Sequence, residues 1–370
     1  MKKILLVLLI VLIAFTIIMC SHPKGLADAY KGHFLIGTAL NADQVMGKDP
    51  KAMAIVKQNF NSIVAENLFK WQFIHPKPDT FAFGEQDQFV KFGEENNMYI
   101  VGHVLVWHSQ TPWWVFQDEN GEPASKELLL KRMENHIKTV VGRYKGQIDG
   151  WDVVNEALEA DGSYRKSPWF NIIGEEYIEK AFQFAHEADP AAELYYNDFD
   201  MWKTSKATGV ERIVNNLKAK GIRIDGLGIQ AHWGMDYPEM DQLDANLQTY
   251  RDLGMKVMFT ELDLNLLPVA WDQVGADISM NYDLKAELDP YSKALPDSMM
   301  MYTTLRYVEW FKEFLKYDDI VTRVTFWGID DGHSWLNNWP VHGRTAYPLL
   351  FDRNYEPKPV VRALIELVKE

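Results

Sequence analysis

Short apolar, β-branched runs alternate with longer amphipathic stretches along most of this chain. The runs predict buried strands at 34–40, 62–67, 99–107, 148–156, 193–198, 224–232, 256–263 and 321–329. Between them, apolar positions at helical spacing predict helices over 50–60, 86–97, 125–142, 175–188, 205–220, 240–253 and 298–317, with a last one from 359 to the C-terminus. Caps agree with these limits: Ser125 stands just before one helix and Gly221 just after another. Eight strands alternating with eight helices predict a parallel sheet, because parallel strands need crossover connections. A single closed (β/α)8 TIM barrel of the α/β class satisfies that count in one domain. A doubly wound open sheet is the runner-up. Its first strand should lead into a Gly-rich phosphate loop, and here Asn41-Ala42-Asp43-Gln44 follows instead. Gly226-Leu227-Gly228 reads as close packing within a strand.

Polar and aromatic residues collect at one end of nearly every strand. They are Asn41, Glu66 with Asn67, His103 with Trp107, Asn155 with Glu156, Asn197 with Asp198, Gln230 with His232, Glu261 with Asp263, and Trp327. In a (β/α)8 barrel these ends converge on one face, where active sites lie. The opposite ends carry Ile224, Val257 and Val321 and read as core. Glu156 and Glu261 each close an otherwise apolar run. A carboxylate buried there costs free energy unless a partner or a reaction uses it. Two carboxylates on different strands can hydrolyse a glycosidic bond: one protonates the leaving oxygen, the other attacks the anomeric carbon or activates water. Spacing in sequence assigns neither role, nor the distance between them.

Composition narrows the substrate. The net charge is −14, from 38 basic and 52 acidic residues, with no basic stripe. Such a chain is repelled by phosphate backbones, so nucleic acid is not expected as a partner. Strongly anionic substrates are disfavoured for the same reason, whereas neutral polysaccharides are not. The 13 tryptophans serve either as core or as platforms for sugar rings, whose C–H faces pack on indole.

Residues 1–24 form a separate segment. Lys2 and Lys3 precede an unbroken apolar stretch that ends at Cys20, the only cysteine, so no intramolecular disulfide can form. This arrangement reads as a secretory leader. A lone cysteine directly after the apolar stretch resembles the acylated cysteine of a bacterial lipoprotein signal, with Met19 where a small residue is usual. The alternatives are cleavage near Ala27-Asp28-Ala29 or an uncleaved anchor, although the stretch is shorter than the about 20 residues a spanning helix needs. All three place the folded part, 25–370, outside the cytoplasm, with membrane contact only through the leader. A monomer is expected.

Ordered motifs carry a more specific indication: Glu66-Asn-Leu-Phe-Lys-Trp71, Gly102-His-Val-Leu-Val-Trp-His-Ser-Gln110, Trp151-Asp-Val-Val-Asn-Glu-Ala157, Gln230-Ala-His-Trp233, Phe259-Thr-Glu-Leu-Asp263, Thr325-Phe-Trp-Gly-Ile329 and Arg344-Thr-Ala-Tyr-Pro-Leu-Leu-Phe-Asp352. From about Lys31 to its end the chain resembles glycoside hydrolase family 10, the endo-β-1,4-xylanases. That resemblance implies a retaining hydrolase of xylan and xylo-oligosaccharides without cofactor or metal. It makes Glu156 the acid/base and Glu261 the nucleophile, with carboxyls about 5–5.5 Å apart. His232 would hydrogen-bond the nucleophile, and Asn155 the sugar 2-hydroxyl. Glu66, Asn67 and Lys70 would bind hydroxyls on the non-reducing side of the cut, and His103, Trp107 and Gln230 would line the central sugar. Trp327 and Trp335 would form the floor and wall. Adjacent residues on a regular strand face opposite ways, so Asn155 and Glu156 can share the site only if the strand leaves its pleat there. Phe69 and Val104 depart from the family's usual methionine and threonine and read as packing changes.

Other readings stay open. Another β-1,4-glycan, cellulosic or mixed-linkage, is the nearest. A non-catalytic glycan-binding barrel would usually lack one of the two carboxylates. A metal-dependent barrel needs a His-x-His pair at an early strand end, where Asn41-Ala42-Asp43 stands, and His103 with His108 lacks further ligands. Trp233 and Trp339 read as packed, and Lys70 as a possible structural ion-pair partner.

Overall fold

The computed structural model describes residues 25–268 and 281–369, so Cys20 and the leader lie outside the described residues. Every predicted strand is present: β1 (Leu35–Leu40), β2 (Ser62–Ala65), β3 (Tyr99–Val106), β4 (Gly150–Asn155), β5 (Glu193–Asp198), β6 (Gly226–Ile229), β8 (Lys256–Asn265) and β9 (Val321–Phe326). They pair in parallel in chain order, β9 returns to β1, and β6 pairs with β8. These eight strands therefore form a closed barrel, as the strand–helix alternation predicts, and the open-sheet alternative is excluded. A short β7 (His232–Gly234) lies against the far part of β8.

The helices follow as predicted: α1 (Pro50–Asn59), α2 (Gly84–Glu95), α3 (Lys126–Arg143), α4 (Glu176–Ala188), α5 (Thr204–Ala219), α6 (Met240–Asp252), α7 (Asp297–Lys316) and α8 (Pro359–Leu367). Ser125 Oγ accepts from the Leu128 amide at 3.2 Å and so caps α3. Each helix buries one apolar stripe on the barrel. On α7 the stripe is Tyr307, Trp310, Phe311 and Phe314, all fully buried. Phe314 stacks on Phe259 of β8 at 3.8 Å, and Trp310 meets Trp233 edge-on at 4.9 Å. Trp233 is thus packed. Phe69 meets Phe89, Tyr144 and Trp151 edge-on, and Val104 is buried, so both departures are packing positions. At Gly102 a Cβ would come within 2.1 Å of the Trp151 ring, which explains the glycine beside His103.

The segment before β1 packs against α1, α7 and α8. Leu26 and Tyr30 are fully buried there, and the Tyr30 hydroxyl donates to Leu364 O of α8 at 3.0 Å. Full burial of a side chain such as Leu26 contributes roughly 1.5–3 kcal/mol.

The predicted continuous strand 224–232 is interrupted. Ala231 adopts a left-handed conformation with φ 61°, which ends β6 and starts β7. Its consequence is felt at the upper end of the barrel.

Candidate active site

Glu156 follows the last residue of β4 and has φ 56°, in the left-handed region. The pairing of β4 with β5 also slips between Asp152 and Val154. The strand therefore leaves its pleat, and Asn155 and Glu156 both reach the same cleft. That resolves the conflict over adjacent residues, with the turn at Glu156 itself. Three groups donate to the Glu156 carboxylate: Trp107 Nε1 at 2.9 Å, Gln230 Nε2 at 2.9 Å and Asn155 Nδ2 at 3.3 Å. The left-handed residue Ala231 separates Gln230 from His232, and both line the cleft.

Glu261 lies within β8, where the register against β9 is irregular between Phe259 and Leu262. Thr260 and Glu261 consequently both reach Asn197 of β5. Asn197 Nδ2 donates to Glu261 Oε1 at 2.9 Å and to Asn155 Oδ1 at 2.9 Å, while its own oxygen accepts from Thr260 Oγ1 at 2.7 Å. Two amides, Asn155 and Asn197, thus link the two carboxylates. Glu261 Oε2 lies 3.1 Å from His232 Nε2, and His232 Nδ1 lies 3.0 Å from Asp263 Oδ2. A ring that faces a carboxylate at each nitrogen has to donate from both, so His232 is an imidazolium. Burial alone would lower its pKa, but Asp263 and Glu261 raise it to about 10. The reciprocal effect appears at Glu261. Burial would push its carboxyl up, yet His232, His103 and Asn197 together hold it below the usual value.

His103 Nδ1 faces Asp152 Oδ2 at 2.8 Å, and His103 lines the cleft. Lys70 Nζ donates to Asn67 Oδ1 at 2.9 Å and lies 5.2 Å from the centre of the Trp107 ring. Burial lowers the Lys70 pKa against the pull of Glu261, Glu66 and Glu156, and burial likewise pushes the Glu66 carboxyl up. The geometry favours Lys70 as a cleft group over a structural ion-pair partner. Trp327 packs edge-on to His103 at 5.6 Å, and Trp335 Nε1 donates to Asp263 Oδ2 at 2.7 Å.

The residues read from sequence as catalytic, supporting or sugar-binding meet in one cleft: Glu66, Asn67, Lys70, His103, Trp107, Asn155, Glu156, Gln230, His232, Glu261, Trp327 and Trp335, whereas the strand-end residues Asn41, Asn197 and Asp198 do not line it. Further lining comes from Gln110, Phe199, Asp200, Trp202, Lys203, Tyr237, Asp263, Asn265, Leu336 and Trp339. Trp339, read from sequence as packed, instead stacks on Trp335 at 5.0 Å and lines the cleft. Most of these further residues sit on loops, where no periodicity marks them.

Residues 25–367 match the profile described as Glycosyl hydrolase family 10. The chain belongs to that family. Among its glycosyl hydrolase family 10 relatives, the endo-1,4-beta-xylanase A of Xylanibacter ruminicola is 48% identical over 346 residues, covering 94% of each chain. The beta-1,4-xylanase of Dictyoglomus thermophilum is 40% identical over 373 residues, covering 99% of this chain and 98% of that one. A solved structure of a family 10 endoxylanase retrieved from a sugarcane soil metagenome superimposes with a TM-score of 0.89 at 45% identity, covering 93% of this chain and all of that one (100%).

Proposed function

We propose that this family 10 hydrolase is an endo-1,4-β-xylanase that cleaves internal bonds of xylan with retention. The asymmetry of the two carboxylates carries the reading: Glu261 has an imidazolium at 3.1 Å, while Glu156 is met by neutral amide and indole donors. A nucleophile has to be ionised when the bond breaks, and the cation favours that form. Glu156 then protonates the glycosidic oxygen as Glu261 attacks the anomeric carbon and forms a glycosyl-enzyme. In the second step Glu156 takes a proton from a water that attacks the anomeric carbon on the face the leaving group vacated, opposite Glu261, and Glu261 departs as a carboxylate. Asn155, held by Asn197 and Gln230, contacts the 2-hydroxyl. Glu66, Asn67 and Lys70 take the non-reducing side, with Trp327 and Trp335 as floor and wall.

Proton NMR of the first products from a xylo-oligosaccharide tests both halves of the reading. The β-anomer should appear first and mutarotate later. An α-anomer first would overturn retention, and products from β-glucan but not from glucuronoxylan or arabinoxylan would overturn the substrate.

We also propose that the chain is exported and acylated at Cys20, acting as a monomer tethered to the cell envelope. Cleavage near Ala27-Asp28-Ala29 would remove Leu26, which is fully buried in the fold. Radiolabelled palmitate should label the wild type and not Cys20→Ser; equal labelling would sink the assignment.

A further inference from the structure

The left-handed turn at Glu156 raises a question that the cleft does not answer. Such a conformation is strained for a bulky residue and persists only where its surroundings hold it. The peptide groups on both sides of Glu156 are held from behind the cleft. Its amide donates to Asn197 O at 2.9 Å, and its carbonyl accepts from Arg165 Nε at 2.9 Å. The next amide, of Ala157, has been turned out of the strand ladder and donates to the Tyr196 hydroxyl at 3.1 Å. Because that hydroxyl accepts from an amide, its own proton has to go elsewhere, and it goes to Asp198 Oδ2 at 2.5 Å. Asp198 Oδ1 lies 2.7 Å from Lys206 Nζ of α5 and accepts from the Phe199 amide at 2.9 Å. Asp198 and Lys206 are both fully buried.

We propose that Tyr196, Asp198 and Lys206 form a positioning unit that locks the backbone at Glu156, so that its carboxyl is aimed at the leaving oxygen. Every link has one direction only. The Lys206 cation keeps Asp198 an acceptor, Asp198 takes the Tyr196 proton, and the Tyr196 oxygen is thereby left to hold the Ala157 amide. A fully buried ion pair is a poor device for stability alone, since apolar residues of similar volume often do as well or better. Burial raises Asp198 to about 6 against the pull of Lys206, with Glu156 and Tyr196 the other groups acting on it. Tyr177 of α4 and Tyr250 of α6 also face it. None of Tyr196, Asp198 and Lys206 lines the cleft.

The proposal rests on the acid/base role of Glu156 and is tested with two substrates. Xylotriose needs its leaving oxygen protonated, whereas the dinitrophenolate of 2,4-dinitrophenyl xylobioside departs without a proton. Tyr196→Phe should lower kcat/KM for xylotriose by about 10-fold to 100-fold, a fraction of what a general acid supplies. Its kcat/KM for the dinitrophenyl glycoside should stay near the wild-type value. Equal losses on both substrates, or no loss on either, would overturn the positioning role. Should Tyr196→Phe not fold, Asp198→Asn is read in the same way, and failure of both to fold would assign the network to the fold instead. A wild-type protein that cleaves neither substrate would sink the underlying functional reading, which keeps the two failures apart.

Discussion

Glu261 and His232 are each explained by the other, and that pair can be tested one residue at a time. If Glu261 is the nucleophile, Glu261→Gly removes the attacking oxygens and leaves a hole beside the anomeric carbon. Hydrolysis of an activated aryl xylobioside should then fall to background. Azide, small enough for the hole, should restore cleavage and give a glycosyl azide of inverted configuration, read by NMR. Residual activity without azide would end the assignment. His232 gives an independent check through pH. Its folded pKa is raised to about 10, above the ordinary histidine value of about 6.5, so the folded state binds the proton more tightly. The stability this adds is complete below about pH 6.5 and is lost as pH rises through about 10. Thermal melts of wild type and His232→Asn should therefore differ most near pH 6 and converge towards pH 10. A gap that does not depend on pH would mean the ring is neutral.

At the scale of elements, the site depends on strands that depart from regular geometry. Gly228 of β6 shows how little room there is: a Cβ there would come within 2.2 Å of Asn197 Oδ1 and 2.9 Å of Thr260 Cγ2. Asn197 is the amide that joins Asn155 to Glu261, so Gly228→Ala should displace the link between the two carboxylates. We expect kcat to fall by about 100-fold, the usual effect of misplacing a catalytic group by about 1 Å, with a much smaller change in KM. Equal kcat for variant and wild type would show that Asn197 can move without consequence. These departures also mark the limit of what the sequence reveals. Strands and helices were legible because apolar runs and helical spacing follow from burial, and β5 matches its predicted limits at both ends. The break in 224–232 was not, because Ala231 carries no turn signal and its φ of 61° is imposed by the chain around it. Glu156 and Glu261 were legible as acidic residues closing apolar runs. Asn197 was legible only as one of the polar strand ends and Thr260 not at all, since their convergence on Glu261 depends on a register slip. Phe199, Trp202 and Tyr237 belong to loops after β5 and β7, where no periodic pattern distinguishes a lining aromatic from a packed one.

For the molecule as a whole, charge becomes the variable that matters. Exposed ion pairs such as Lys48 with Asp43 are screened by solvent, contribute little and do not alter the net charge of −14. That charge acts over a Debye length, which shrinks from about 30 Å at 0.01 M salt to about 8 Å at 0.15 M. A neutral xylo-oligosaccharide feels none of this, whereas a glucuronoxylan carries carboxylates and approaches a protein of the same sign. Raising salt over this range should increase kcat/KM on glucuronoxylan several-fold by removing a penalty on encounter. It should leave kcat at saturation, and both constants for neutral xylo-oligosaccharides, unchanged. Initial rates on the two substrates in parallel salt series provide the measurement. The opposite slope would show that the field at the cleft mouth differs in sign from that of the whole chain. The residue to blame would be Lys203, which lines the cleft with a partly exposed side chain and is paired to Asp200 at 2.7 Å. Lys203→Gln should then restore the slope expected from net charge, since it removes a cation from the path of the polymer without touching Glu156 or Glu261.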